Sequence, residues 1–73
     1  MTWDSELLSL LREEWRVGEA FTLDDVYRHE GRFARLYPRN RHRRDKLRQT
    51  LQHLRDEGMV EFLDDHGHYR RIR

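Results

Sequence analysis

The 73-residue sequence predicts an α+β fold in which three helices and a minor strand precede a C-terminal two-stranded β-hairpin. Three observations predict it. Apolar residues recur at helical spacing as far as Leu54, the period changes to two after Gly58, and turn-forming residues at Gly18, Pro38 to Asn40 and Asp64 to Gly67 separate the segments.

The first helix is drawn by Trp3, Leu7, Leu8, Leu11 and Trp15, whose spacings of three, four and seven place them on one face, and it stops near Gly18. Thr2 or Asp4 suits its cap, and Asp4 and Glu6 suit the positive end of its dipole. Ala20, Phe21 and Thr22 form a short extended piece. Thr22 and Asp25 then resemble a capping box with Asp in place of Glu, so the second helix starts at Leu23. Its stripe of Leu23, Val26 and Tyr27 is weakened at Gly31 and resumes with Phe33 and Leu36, which predicts one interrupted helix or two short ones ending before Pro38.

Pro38 disfavours helical geometry at Tyr37 and forces a turn, after which Asn40 is expected to cap the third helix, spanning about residues 41–57. Leu47, Leu51 and Leu54, with Thr50 beside them, face the core; Asp45, Gln49 and Gln52 lie opposite, with His42, Lys46 and His53 on one edge and Arg41 and Arg48 on the other. Gly58 is placed to end the helix in a left-handed conformation. Residues 59–63 and 68–72 alternate as strands around the turn Asp64 to Gly67. In this order the elements describe a winged helix-turn-helix domain, with residues 1–73 read as a single unit.

Charge is segregated along this chain. Residues 28–48 carry nine basic groups against two acidic ones, whereas residues 1–27 run to −5 and residues 49–73 to −1, so the whole chain sums to +1. The third helix therefore has the character of a recognition helix, whose first turns enter the DNA major groove. Arg41, Arg43, Arg44, Lys46 and Arg48 suit phosphates or guanine, and Asn40 and Gln49 are the candidates for reading adenine, while Asn40 is equally explained as a helix cap. His29, His42 and His53 are expected as further donors on the basic surface, and His66 as a contact from the wing. Asp64 and Asp65 carry the wrong sign for DNA and are read as an ordinary solvated turn, with His66, His68, Arg70 and Arg71 nearby to compensate.

Several function classes are excluded or disfavoured. There is no cysteine, so neither disulfides nor thiolate zinc sites exist, and the five histidines show no third ligand at a recognisable spacing. No nucleophile with a base, no carboxylate pair and no glycine-rich phosphate loop is present. No apolar run approaches the roughly 20 residues of a membrane span and the N-terminus lacks the positive start of a secretory signal, so a cytoplasmic, DNA-associated protein is expected.

The run FTLDDVYRHE, followed by LYPRNRH and DKLRQTLQHLRDEGMVEFL and ending in GHYR, closely resembles the winged-helix domain of the Dam-replacing family, the C-terminal part of methyl-directed restriction endonucleases. The similarity covers roughly residues 20–72, and the paired pieces YPxNxH and RQxLQxLRDxG are specific. The resemblance implies binding of double-stranded DNA that carries N6-methyladenine in a GATC context. It carries over to Tyr37, Pro38, Asn40, His42, Lys46, Arg48, Gln49 and Gln52. It does not carry over nuclease activity, which in the family belongs to a separate N-terminal domain.

The expectation is a non-catalytic, monomeric reader of adenine-methylated duplex DNA that needs no cofactor or metal. A nuclease or a regulatory protein is carried as a further partner to test. Two alternatives stand beside it: a transcription regulator of the same fold indifferent to methylation, and a protein interaction module in which the acidic N-terminal third meets a basic surface.

Overall fold

The computed structural model describes residues 2–73. In chain order it contains α1 (Trp3–Glu14), β1 (Ala20–Thr22), α2 (Leu23–Tyr27), α3 (Glu30–Leu36), α4 (Arg43–Asp56), β2 (Val60–Phe62) and β3 (His68–Arg71). The strands form one antiparallel sheet in the order β1-β3-β2, so the hairpin is completed by the strand that precedes α2. This is the winged helix-turn-helix architecture, with the expected second helix divided in two.

Two capping boxes form, the expected one at Thr22 and another at Thr2. Thr2 Oγ1 accepts the Ser5 amide at 3.1 Å while Ser5 Oγ accepts the Thr2 amide at 3.0 Å. The first cap is therefore Thr2, and its reciprocal partner is a serine. Thr22 and Asp25 repeat the arrangement at the start of α2, at 3.1 and 3.0 Å. The break between α2 and α3 falls at Arg28 and His29, before Gly31, which sits inside α3. There Arg28 turns back to Asp25 at 3.3 Å and His29 presents its ring edge-on to Trp15.

Leu7, Leu10 and Leu11 from α1, Val26, Phe33, and Leu47, Leu51 and Leu54 from α4 are buried together with Phe21, Val60 and Tyr69 of the sheet. Burying each such aliphatic side chain contributes roughly 1.5–3 kcal/mol. Leu10 joins Leu7 and Leu11 in the core, whereas Leu8, expected there, is half-buried. The register explains the sheet's share: Tyr69 on the central strand pairs with Phe21 on one side and Phe62 on the other. Its ring centroid lies 5.5 Å from Phe21 and 4.9 Å from Phe62.

This core fixes α4 by its leucine face and leaves the opposite face to solvent. Thr50 is the one buried polar residue of the described chain, and its hydroxyl donates to the Lys46 carbonyl at 2.6 Å. Gly58 follows α4 with φ +77, the left-handed conformation that returns the chain toward β2. Among the described residues no helix is long and apolar enough to cross a membrane, and no cluster of three potential metal ligands occurs.

Candidate nucleic-acid interface

The turn from α3 to α4 is built from the side chain of Asn40. Its Oδ1 accepts the His42 amide at 2.8 Å, its carbonyl accepts Arg43 Nη1 at 3.0 Å, and its own amide donates to the Tyr37 carbonyl at 3.1 Å. Asn40 is therefore not the cap of α4. Its side chain closes a turn onto the amide two residues ahead, and this delays the helix to Arg43, so the recognition helix spans Arg43–Asp56 instead of about 41–57. The cap position falls to His42, which makes no capping hydrogen bond. With no side chain over them, the first-turn amides and the positive end of the helix dipole suit a phosphate oxygen.

Arg41 and His42 are exposed in the turn just before the helix. Arg43, beside them, is half-buried and tied to Asn40, so it holds the turn. Arg44 lies 4.9 Å over the ring of Tyr27 and 3.4 Å from the Glu30 carboxylate, which partly neutralises it. Together Arg41 to Asp45 and Glu30 surround a shallow depression of about 240 Å³.

Further along α4, Gln49 is exposed and Lys46 is half-buried, with its ammonium 3.5 Å from Gln49 Oε1. Arg48 and Gln52 turn toward the wing. With Arg55 they form one wall of a cleft of about 420 Å³, whose other wall includes Phe62, Asp64 and His66. The structure thus brings the predicted His66 opposite the predicted Arg48 and Gln52. Arg55 was missed by sequence reasoning, although it shares the helical edge of Arg44 and Arg48; its guanidinium lies 4.5 Å over the Phe62 ring.

Asp64 does more than fill a solvated turn. Its Oδ1 accepts the His66 and His68 amides at 2.7 and 3.3 Å, and its Oδ2 lies 2.7 Å from His68 Nδ1. The His66 amide, with His68 adding to it, holds the Asp64 carboxyl below its usual range. His68 and Arg70 are engaged with Asp64 and Glu61, and Arg71 donates to the Trp15 carbonyl, whereas the His66 side chain makes no hydrogen bond or ion pair among the described residues.

Two expected donors face elsewhere. His29 lies 4.0 Å from Glu14, and His53 lies 3.5 Å from Asp4, so both point to the acidic first helix. Within the basic run the same helix captures Arg32, which bonds Glu6 and Glu13. Arg28 and Arg44 pair with Asp25 and Glu30. Among the described residues Arg35, Arg39, Arg41, Arg43, Lys46 and Arg48 have no carboxylate within ion-pair distance.

A third recess, of about 400 Å³, opens where the turn meets the start of α1. It is lined by Trp3, Tyr37, Pro38, Arg39 and Asn40. Trp3 is stacked between Phe33 and Tyr37, with centroids 5.0 and 4.7 Å away. The Tyr37 hydroxyl is buried and finds no protein partner. An apolar wall therefore stands beside the polar turn that leads into the recognition helix. Residues 2–71 match the family described as the Dam-replacing HTH domain. The chain belongs to that family and is a helix-turn-helix domain that binds double-stranded DNA.

Proposed function

We propose that this domain reads N6-methyladenine in duplex DNA, in a GATC context, with α4 in the major groove and His66 of the wing at the backbone. The observation that carries the reading is the apolar recess lined by Trp3, Tyr37 and Pro38, which adjoins Asn40 at the approach to α4. The resemblance of YPxNxH and RQxLQxLRDxG to the methyl-directed endonucleases supports the choice of base.

Burying one methyl group contributes about 0.8 kcal/mol, roughly a fourfold preference, and two on a palindromic site about 1.6 kcal/mol, roughly fifteenfold. A stronger preference requires that the methyl also position other contacts. The reading assigns binding to these residues and no cleavage.

One observation favours a methylation-indifferent regulator instead. The exposed face of α4 carries Asp45, Arg48, Gln49 and Gln52, with no apolar side chain to meet a methyl. Contact with the methyl then has to come from the turn before the helix. Fluorescence anisotropy with matched GATC duplexes, methylated on both strands, one or neither, separates the two readings. Equal affinities would sink methyl recognition and leave DNA binding intact, and no retardation of any duplex at low salt would favour a protein interaction module.

A further inference from the structure

An asparagine that reads adenine in the major groove normally uses both ends of its amide: the NH2 group donates to N7 and the oxygen accepts from N6. In an A·T pair one amino hydrogen lies in the base pair and the other projects into the groove. Methylation at N6 with pairing retained replaces the projecting hydrogen by a methyl group. The acceptor half of a bidentate amide then loses its partner and faces carbon, so an amide free at both ends disfavours methyladenine.

The Asn40 amide is not free at both ends. Its Oδ1 accepts the His42 amide at 2.8 Å. A backbone N–H opposite that atom fixes the orientation of the amide, since a flipped group would set donor against donor. The Arg43 guanidinium and the Tyr37 carbonyl brace the same turn through the Asn40 backbone. The oxygen is thus drawn into the chain's own turn. Nδ2, on the other branch of the planar amide, donates to no protein atom among the described residues. Gln49 repeats the pattern more loosely, with Oε1 toward the Lys46 ammonium at 3.5 Å. Asn40 also lines the apolar recess with Tyr37 and Pro38, so the residue that carries the lone donor adjoins an apolar wall. That pairing complements the groove edge of N6-methyladenine, which offers an acceptor at N7 beside a methyl.

We propose that Asn40 is a donor-only reader: its Nδ2 hydrogen-bonds N7 of the methylated adenine, and the turn that occupies its oxygen removes the need for an N6 hydrogen. The proposal rests on the methyladenine reading above. Its test is a double-mutant cycle measured by anisotropy. One change is Asn40→Asp, which keeps an oxygen for the His42 amide and removes the donor; the other is replacement of N7 by C–H in the methylated adenine of the duplex.

Wild type is expected to lose about three- to tenfold in affinity on the 7-deaza duplex. Asn40→Asp is expected to bind the ordinary duplex more weakly and to lose nothing further on the 7-deaza one. Its added charge weakens all duplexes alike, so the readout is the coupling; Asn40→Ala repeats the cycle without charge. Equal 7-deaza losses in wild type and variants, or none in wild type, would overturn the proposal. The methylated and unmethylated duplexes run alongside keep the two ideas apart. Coupling without a methyl preference rejects methyl reading alone, and preference without coupling rejects the role of Asn40 alone.

Discussion

Arg32 of α3 places Nη2 2.7 Å from Glu6 Oε1 of α1, a contact between residues 26 apart in the chain that removes an arginine from the basic run. Glu13 holds the same guanidinium from the next turns of α1. The side chains of Arg32 and Glu6 are mostly buried, at 27% and 17% exposure, so the pair is screened less than a surface one. Arg32→Ala is expected to lose roughly 1–2 kcal/mol of stability, between the values typical of exposed and buried pairs. It should leave the salt dependence of DNA binding unchanged. A urea melt and a salt titration of affinity on the same variant check both halves, and a reduced salt slope would show that Arg32 reaches phosphate after all.

The arginines without carboxylate partners behave differently. If about five basic groups meet phosphates, log affinity should fall against log salt with a slope near −4.5, from roughly −0.9 per contact. Arg41→Ala and Arg48→Ala should each reduce that slope by about 0.9 and weaken methylated and unmethylated duplexes alike. Affinity measured at four or five salt concentrations tests this. A variant that changes sequence preference with an unaltered slope identifies a base contact instead.

What was legible in the sequence follows the reach of the interactions that encode it. The capping box of Thr22 and Asp25, the left-handed Gly58 and the Leu47, Leu51 and Leu54 face rest on partners a few residues apart, and each is found where expected. Asn40 shows the limit within that reach. A helix cap and a side-chain turn both direct the same oxygen at an amide two residues on, so the motif located the hydrogen bond but not the start of the helix. Which arginines are neutralised was not legible, since Glu6 meets Arg32 only when α1 packs on α3. The recess has the same origin, because Trp3 reaches Tyr37 from the far end of the chain.

Tyr37 separates packing from polar chemistry in that recess. Its ring stacks on Trp3 at 4.7 Å while its hydroxyl is buried without a protein partner. Tyr37→Phe should therefore keep the fold or stabilise it by about 1 kcal/mol, because an unsatisfied buried group is removed. Tyr37→Ala removes the stacked ring and should cost about 3 kcal/mol. Thermal melts compare the two. Loss of stability in Tyr37→Phe would mean that the hydroxyl is satisfied in solution, by water or by rearrangement.

The glycines at 31 and 67 should respond in opposite directions to alanine. Gly67 closes the wing turn at φ +84, and a Cβ there would stand 3.1 Å from Leu23 Cβ. Its carbonyl accepts the Leu23 amide at 2.8 Å, so the wing turn cannot shift without disturbing the start of α2. Gly67→Ala should cost more than about 1 kcal/mol. Gly31 lies in helix α3 with nothing near its absent Cβ, and Gly31→Ala should stabilise by about 0.5–1 kcal/mol. Urea midpoints with unchanged m-values check both signs.

Acid titration tests the cap of α2. The Thr22 amide, donating to Asp25 at 3.0 Å, holds the Asp25 carboxyl below its usual range against the opposing effect of burial, with the Thr22 hydroxyl, Arg28 and His29 adding to it. A carboxylate whose pKa is depressed by folding stabilises the protein above its unfolded pKa of about 3.9, and that contribution is lost as pH falls through the lower, folded value. Asp25→Ala should therefore be about 1 kcal/mol less stable than wild type at pH 7. The gap should hold down to about pH 5 and narrow below about pH 4, as wild type takes up the proton that the variant lacks. Urea midpoints of both proteins at pH 7, 5, 3 and 2 measure the gap directly. A difference that stays constant down to pH 2 would show that neutral packing of the side chain, and not its charged hydrogen bond to Thr22, secures the start of the helix.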